Sequence, residues 1–238
     1  MAEWLTVVLL TLGAGITMPV GAALASVERI RPAWLENEFR HGVIAFGGGA
    51  LLAAVALVLI PEGLKALPIL PACLAFVAGA LVFMAIDILL ARRGTPASQL
   101  VAMLTDFLPE ALALGATAAA QGPAGPLLAM IIALQNLPEG FNAFRELRAA
   151  TAYRAAAIVA AFLAMASLGP LFGLFGFFVL ADSHVLVGGI MLFAAGGILY
   201  LMFQDIAPQA HLDNHWAPPL GAILGFLLGL VGQQLVGH

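Results

Sequence analysis

Residues 98–144 read SQLVAMLTDFLPEALALGATAAAQGPAGPLLAMIIALQNLPEGFNAF. Two long apolar runs flank a charge-free turn, Gln121-Gly122-Pro123-Ala124-Gly125-Pro126. Each run has the length of about 20 residues that crosses a bilayer as a helix. The only charged residues in this stretch are carboxylates: Asp106 and Glu110 in the first run, Glu139 in the second. Asp106 and Glu110 are spaced i, i+4 and share one helix face, and Gln135 and Glu139 repeat that spacing. The short turn makes the two helices antiparallel neighbours, with both polar pairs at a similar depth.

The rest of the chain has the same character. It is 238 residues long, 63% hydrophobic and 9% charged, against about 25% charged in a soluble domain. Such a chain cannot cover a water-facing surface, so its solvent is mostly lipid. At about 20 residues per span, it accommodates roughly eight helices and no separate soluble domain. The apolar runs lie near 3–26, 41–62, 68–91, 98–120, 124–146, 152–179, 185–208 and 216–236. They are unbroken and lack period-two alternation, which excludes a barrel and predicts an all-α, multi-pass protein of the cell membrane. The first run lacks a basic start and an obvious cleavage site, and reads as a span rather than a signal peptide. The single cysteine, Cys73, excludes internal disulfides and cysteine-based zinc clusters. No basic patch points to nucleic acid. The expected partners are the bilayer and a second copy of the chain as a homodimer.

Basic residues orient the bundle. Arg29, Arg31 and Arg40 fall in the first loop, Arg92 and Arg93 in the third, and Arg145, Arg148 and Arg154 in or beside the fifth. Lys65 alone falls on the other side. The positive-inside rule then makes the odd-numbered loops cytoplasmic and both termini external.

A Pro-Glu or Pro-Gln pair recurs at Pro61-Glu62, Pro109-Glu110, Pro138-Glu139 and Pro208-Gln209. Phe46 leads Pro61 by the same interval as Phe193 leads Pro208, and each Phe opens a run of small residues. The second and seventh spans run in opposite directions. The match predicts an inverted repeat, spans 1–3 and 6–8 around spans 4 and 5, as transporters use.

A carboxylate at the bilayer centre costs about 2.5–3.5 kcal/mol on insertion scales. Three in adjacent spans are too costly to be incidental. Pro109 frees the carbonyl of Thr105, and Pro138 frees that of Leu134; in hydrocarbon these also need partners. Three crowded carboxylates cannot all stay ionised unaided in low dielectric. A divalent cation resolves this by displacing protons, and an all-oxygen set leans toward harder cations, although zinc also accepts carboxylates. A proton relay through the same acids is the alternative.

At these residues the sequence resembles the ZIP family of divalent metal transporters. The similarity covers essentially the whole chain, from Thr17-Met18-Pro19-Val20-Gly21-Ala22 in the first span to the glycine-rich second span ending in Pro61-Glu62. It is most specific at Asp106-Phe107-Leu108-Pro109-Glu110-Ala111 and Gln135-Asn136-Leu137-Pro138-Glu139-Gly140. The family's fourth span typically reads His-Asn-x-Pro-Glu-Gly. The resemblance implies transport of a divalent ion (Zn, Fe, Mn, Co or Cd) toward the cytoplasm, without enzymatic activity, at a primary site of Asp106, Glu110, Gln135 and Glu139. Family members can hold a second metal beside it. Here Phe107 stands where the family has Asn, Asn136 where it has an acid, and Gly169 precedes Pro170 in a span where a Glu often contributes. These departures imply a single metal. Glu62 is expected at the outer mouth, the Gln204-Asp205 pair on an exit path, and His211, Asp213 and His215 as a metal-handling element, since the third loop has no histidine. Asp87 is expected to pair with Arg92 or Arg93. Rival readings are a sensor that binds metal without passing it, an intramembrane metallo-enzyme, and a proton conductor.

Overall fold

The computed structural model describes residues 2–28, 33–93, 97–119, 124–180, 182–212 and 215–236. Arg29, Arg31, Asp213, the middle of the third loop (94–96) and residues 120–123 of the turn between the two polar runs lie outside them, and so does the side chain of Arg93. Among the described residues every regular element is helical. They are α1 (Glu3–Val27), α2 (Ala33–Ala54), α3 (Ile60–Ala66), α4 (Ile69–Arg93), α5 (Ala97–Ala119), α6 (Ala124–Ala150), α7 (Ala155–Phe175), α8 (His184–Leu201), α9 (Ala207–Ala210) and α10 (Ala217–Val236).

Wider turns join several of these. A π-helical segment, Val55–Leu59, fuses α2 to α3, and another, Met202–Ile206, fuses α8 to α9. Each ends just before Pro61 or Pro208. Proline has no N–H and its ring crowds the preceding turn, so the backbone winds wider on approach. A third π segment, Gly176–Leu180, extends α7.

The apolar runs and the helices agree to within a few residues, with two extensions. α2 starts at Ala33 rather than near 41, and its continuation ends at Ala66 rather than 62. α6 runs to Ala150, carrying Arg145 and Arg148 on helix. These polar ends carry too little apolar character to be counted from hydropathy.

Six helical stretches among the described residues are long and apolar enough to cross a membrane: Glu3–Val27, Asn37–Ala66, Ile69–Arg92, Ala155–Leu180, His184–Ala210 and Ala217–Leu235. α5 and α6, which carry Asp106, Glu110 and Glu139, are not among them. They are the interior of the bundle: α5 packs on α1, α4, α6, α7 and α8, and α6 on α1, α2, α5, α7 and α10. Their wettest faces therefore meet protein. The core runs through Met18, Leu59, Phe107, Leu114, Ile131, Ile132, Phe162 and Ile198, all nearly inaccessible.

Glycines set the closest crossings. A Cβ on Gly21 of α1 would collide with the Leu137 carbonyl of α6, and one on Gly140 with the Met18 carbonyl. The same reciprocal contact recurs elsewhere: Gly176, just past α7, abuts the Leu112 carbonyl of α5, and Gly115 abuts that of Gly173. A second such pair joins α2 to α10, through Gly49 against the Ala222 carbonyl and Gly225 against that of Phe46. Its counterpart joins α8 to α4, through Gly196 against the Phe76 carbonyl and Gly79 against that of Phe193. Phe46 and Phe193, matched in the sequence, thus take the same part in two matched crossings.

Candidate functional site

α5 places Asp106 and Glu110 one turn apart, and both are buried, at 8% and 0% exposure. α6 contributes Gln135, at 1% exposure, and the half-buried Glu139. The polar face of α6 continues beyond these two. Asn142 and Glu146 follow at the next helical steps, so Gln135, Glu139, Asn142 and Glu146 form one stripe.

That stripe lines a cavity of about 110 Å³ together with Asp106 of α5 and with Asp205 and Gln209 beyond α8. Its apolar walls include Gly47 and Gly48 of α2, Met103 and Leu201. Gly47 makes room for the Pro138 ring, which a Cβ there would press at 3.0 Å.

Glu110 stands behind this cavity rather than in its lining. Gln135 Nε2 donates to Glu110 Oε1 at 2.7 Å, joining α6 to α5 through the core. Among the described residues four buried side-chain oxygens receive no hydrogen bond: Asp106 Oδ1, Glu110 Oε2, Gln135 Oε1 and Asn142 Oδ1. A buried polar atom left unsatisfied costs about 1–3 kcal/mol, more when charged. Three of these acceptors belong to residues that line the cavity, Asp106, Gln135 and Asn142, and Glu110 stands behind it; acceptors without donors beside a cavity fit a cation or water held around one. Among the described residues no three His, Cys, Asp or Glu side chains are drawn tightly enough together to enclose an ion by themselves. The convergence is of acids with amides.

Asn136 and Phe107 face elsewhere. Asn136 Nδ2 donates to the Ala14 carbonyl at 2.9 Å and ties α6 to α1. The Phe107 ring is wedged between α1 and α7, where a Cβ on Gly15 or Gly169 would lie 2.8 Å from its Cζ. The space that a larger side chain at position 169 would need is filled by this ring and by the Thr11 carbonyl.

The remaining sequence-derived residues separate. Asp205 lines the cavity, whereas its neighbour Gln204 is exposed and does not. Glu62 lines a different cavity, of about 260 Å³, with Lys65, Thr117 and His184. His211 and His215 line a largely apolar groove near Trp216, and the His215 ring is hydrogen-bonded to the Glu38 carboxylate. Asp87 accepts a hydrogen bond of 2.9 Å from Tyr200, linking α4 to α8. Sequence reasoning missed Asn142, Glu146 and Gln209 as cavity residues. The signal for the first two was the continuation of the Gln135/Glu139 face by one helical step and then another.

The two cavities do not connect. Along α5, between Asp106 at the first and Ala116 at the second, Glu110, Ala111, Ala113 and Leu114 are buried. Along α8, between Met191 and Leu201, Leu192, Ala194, Ala195 and Ile198 are buried.

The chain is 34% identical over 141 residues to the zinc transporter GufA of Myxococcus xanthus. The match takes in 58% of this chain and 54% of that protein, so it spans about half the length of the curated relative. No family model matches the chain.

Proposed function

We propose that this protein is a ZIP-like, multi-pass transporter of the cell membrane that carries divalent metal ions, of the Zn, Fe or Mn type, toward the cytoplasm. The carrying observation is the set of four buried, donorless oxygens on Asp106, Glu110, Gln135 and Asn142. The similarity to a zinc transporter supports the same reading. In it, α5 and α6 are spans as well, which brings the total to eight, and the whole chain is one transport domain.

Asp106 and Glu139 take the ion from the cavity, and their carboxylates replace part of its water shell. Gln135 uses its N–H on Glu110 and offers its Oε1 to the ion, so one amide connects the acids of both helices. Glu110 completes the site from behind. The shell is all oxygen and suits harder divalent cations, with zinc accepted. Phe107 occupies the flank where a second ion would sit, so the site carries one ion at a time.

The matched glycine crossings support an inverted repeat relating α1 to α7, α2 to α8, and α4 to α10, with α5 and α6 exchanged. Gly115 and Gly140 correspond in those crossings, and Glu110 precedes the one by the same interval as Gln135 precedes the other. The 2.7 Å bond then lies on the axis of the repeat. Glu146, near the arginine-bearing end of α6, opens the first cavity toward the cytoplasmic side, and the buried layer seals it from the other. Alternating access would transfer the opening to the second cavity.

Equilibrium binding of Zn²⁺ or Mn²⁺ to the purified chain tests the site. The account expects one tightly held ion per chain, lost in Glu139→Ala. Two tightly held ions per chain, or tight binding unchanged in Glu139→Ala, would displace it.

A further inference from the structure

We infer that the second cavity is a cation-binding mouth, formed by Glu62, His184 and Thr117, in which the Lys65 ammonium is a tethered stand-in for the incoming divalent metal. This rests on the transport reading, because it gives the outward half of the path its own binding step.

Three acceptors of cation chemistry face one space of about 260 Å³. Glu62 follows Pro61 on α3, just past the wide turn Val55–Leu59, and its carboxylate is partly exposed. His184 opens α8 and is exposed. Thr117 of α5 donates its hydroxyl proton to the Ala113 carbonyl at 2.7 Å, which leaves its oxygen lone pairs for a cation or water. A carboxylate, an imidazole and a hydroxyl are a mixed nitrogen–oxygen set that suits zinc-like ions. With so few protein ligands the ion keeps most of its water, so the site is weak, as the first station on a path must be.

Lys65 is the one lysine in the chain. Its Nζ lies 2.6 Å from Glu62 Oε1, and its side chain is 69% exposed. A basic residue in the mouth of a cation path would repel its cargo. Paired with Glu62, it instead neutralises the carboxylate when no cargo is there. Exposed ion pairs are weakly held, and a divalent ion attracts the same carboxylate twice as strongly as a monovalent ammonium at equal distance. The flexible lysine stem lets the ammonium swing into water when the metal arrives.

The mouth mirrors the other side. Gln209 follows Pro208 after a matching π segment and lines the first cavity, as Glu62 follows Pro61 and lines the second. The acid at this point, with its lysine, belongs to one half only, and it gives the two mouths different affinities.

Carbethoxylation of His184 by diethyl pyrocarbonate, read by peptide mass spectrometry on the full-length protein across a Zn²⁺ series, tests this. Zn²⁺ should protect His184 in the parent. The half-protecting concentration should fall at least threefold in Lys65→Gln, stay near the parent in Lys65→Arg, and rise at least tenfold in Glu62→Gln. Equal modification of His184 at every Zn²⁺ concentration, or an unchanged midpoint in Lys65→Gln, overturns the inference. Vesicle uptake measured in parallel separates the two readings: protection without uptake sustains the mouth and sinks transport, whereas uptake without protection does the reverse.

Discussion

Gln135 Nε2 donates to Glu110 Oε1 at 2.7 Å, and both residues are essentially inaccessible. This bond joins the two helices that carry Asp106, Glu110 and Glu139. Replacing Gln135 with Leu would leave both Glu110 oxygens without a donor, since Oε2 already lacks one. The expected loss is about 1–3 kcal/mol of stability, seen as a lower midpoint of thermal unfolding in detergent, together with a fall in metal uptake. An unchanged midpoint would mean that the pair carries no structural load.

Asp106 is a proposed ligand that borders the cavity. Asp106→His introduces a softer imidazole donor and should shift preference toward zinc over manganese. Competition uptake with paired metals measures this. An unchanged ranking would remove Asp106 from the ion's shell.

Phe107 fills the space facing Gly15 and Gly169. Gly169→Leu should cost about 1–3 kcal/mol by overpacking. Combining it with Phe107→Ala should recover only part of that, because the new side chain meets the ring and also the Thr11 carbonyl, 2.9 Å from its Cβ. Thermal unfolding of both single variants and the double variant gives the coupling. Additive losses would show that the ring is not what fills the space.

Asn142 and Glu146 extend the polar stripe of α6 along the cavity. Truncating either to Ala should raise the apparent KM for the metal severalfold and leave protein stability nearly unchanged, as both border the cavity. Uptake at graded metal concentrations reads the change. A fall in maximal rate with no change in KM would place them outside the ion's path.

The apolar runs made the helices legible, since hydropathy sets the length of each span. The i, i+4 spacing made Asp106 with Glu110, and Gln135 with Glu139, legible as faces. That Glu110 faces Gln135 from behind the cavity was not, because helix rotation is set by the reciprocal crossings at Gly115 and Gly140, whose partners no single sequence names. The Pro61 and Pro208 pairs were visible, but the π segments before them were not, since proline can kink, widen or end a helix. Asn142 and Glu146 lie near the end of the apolar run, where polar residues read as interfacial. His184 carried no motif at all; only the fold brings it to Glu62.

Metal flux into sealed vesicles containing the purified protein tests the central claim most directly. Zn²⁺ or Mn²⁺ accumulation should be time-dependent and saturable in the parent, and at least tenfold slower in Glu139→Ala. Metal binding without accumulation, or Glu139→Ala transporting at the parent's rate, would contradict it.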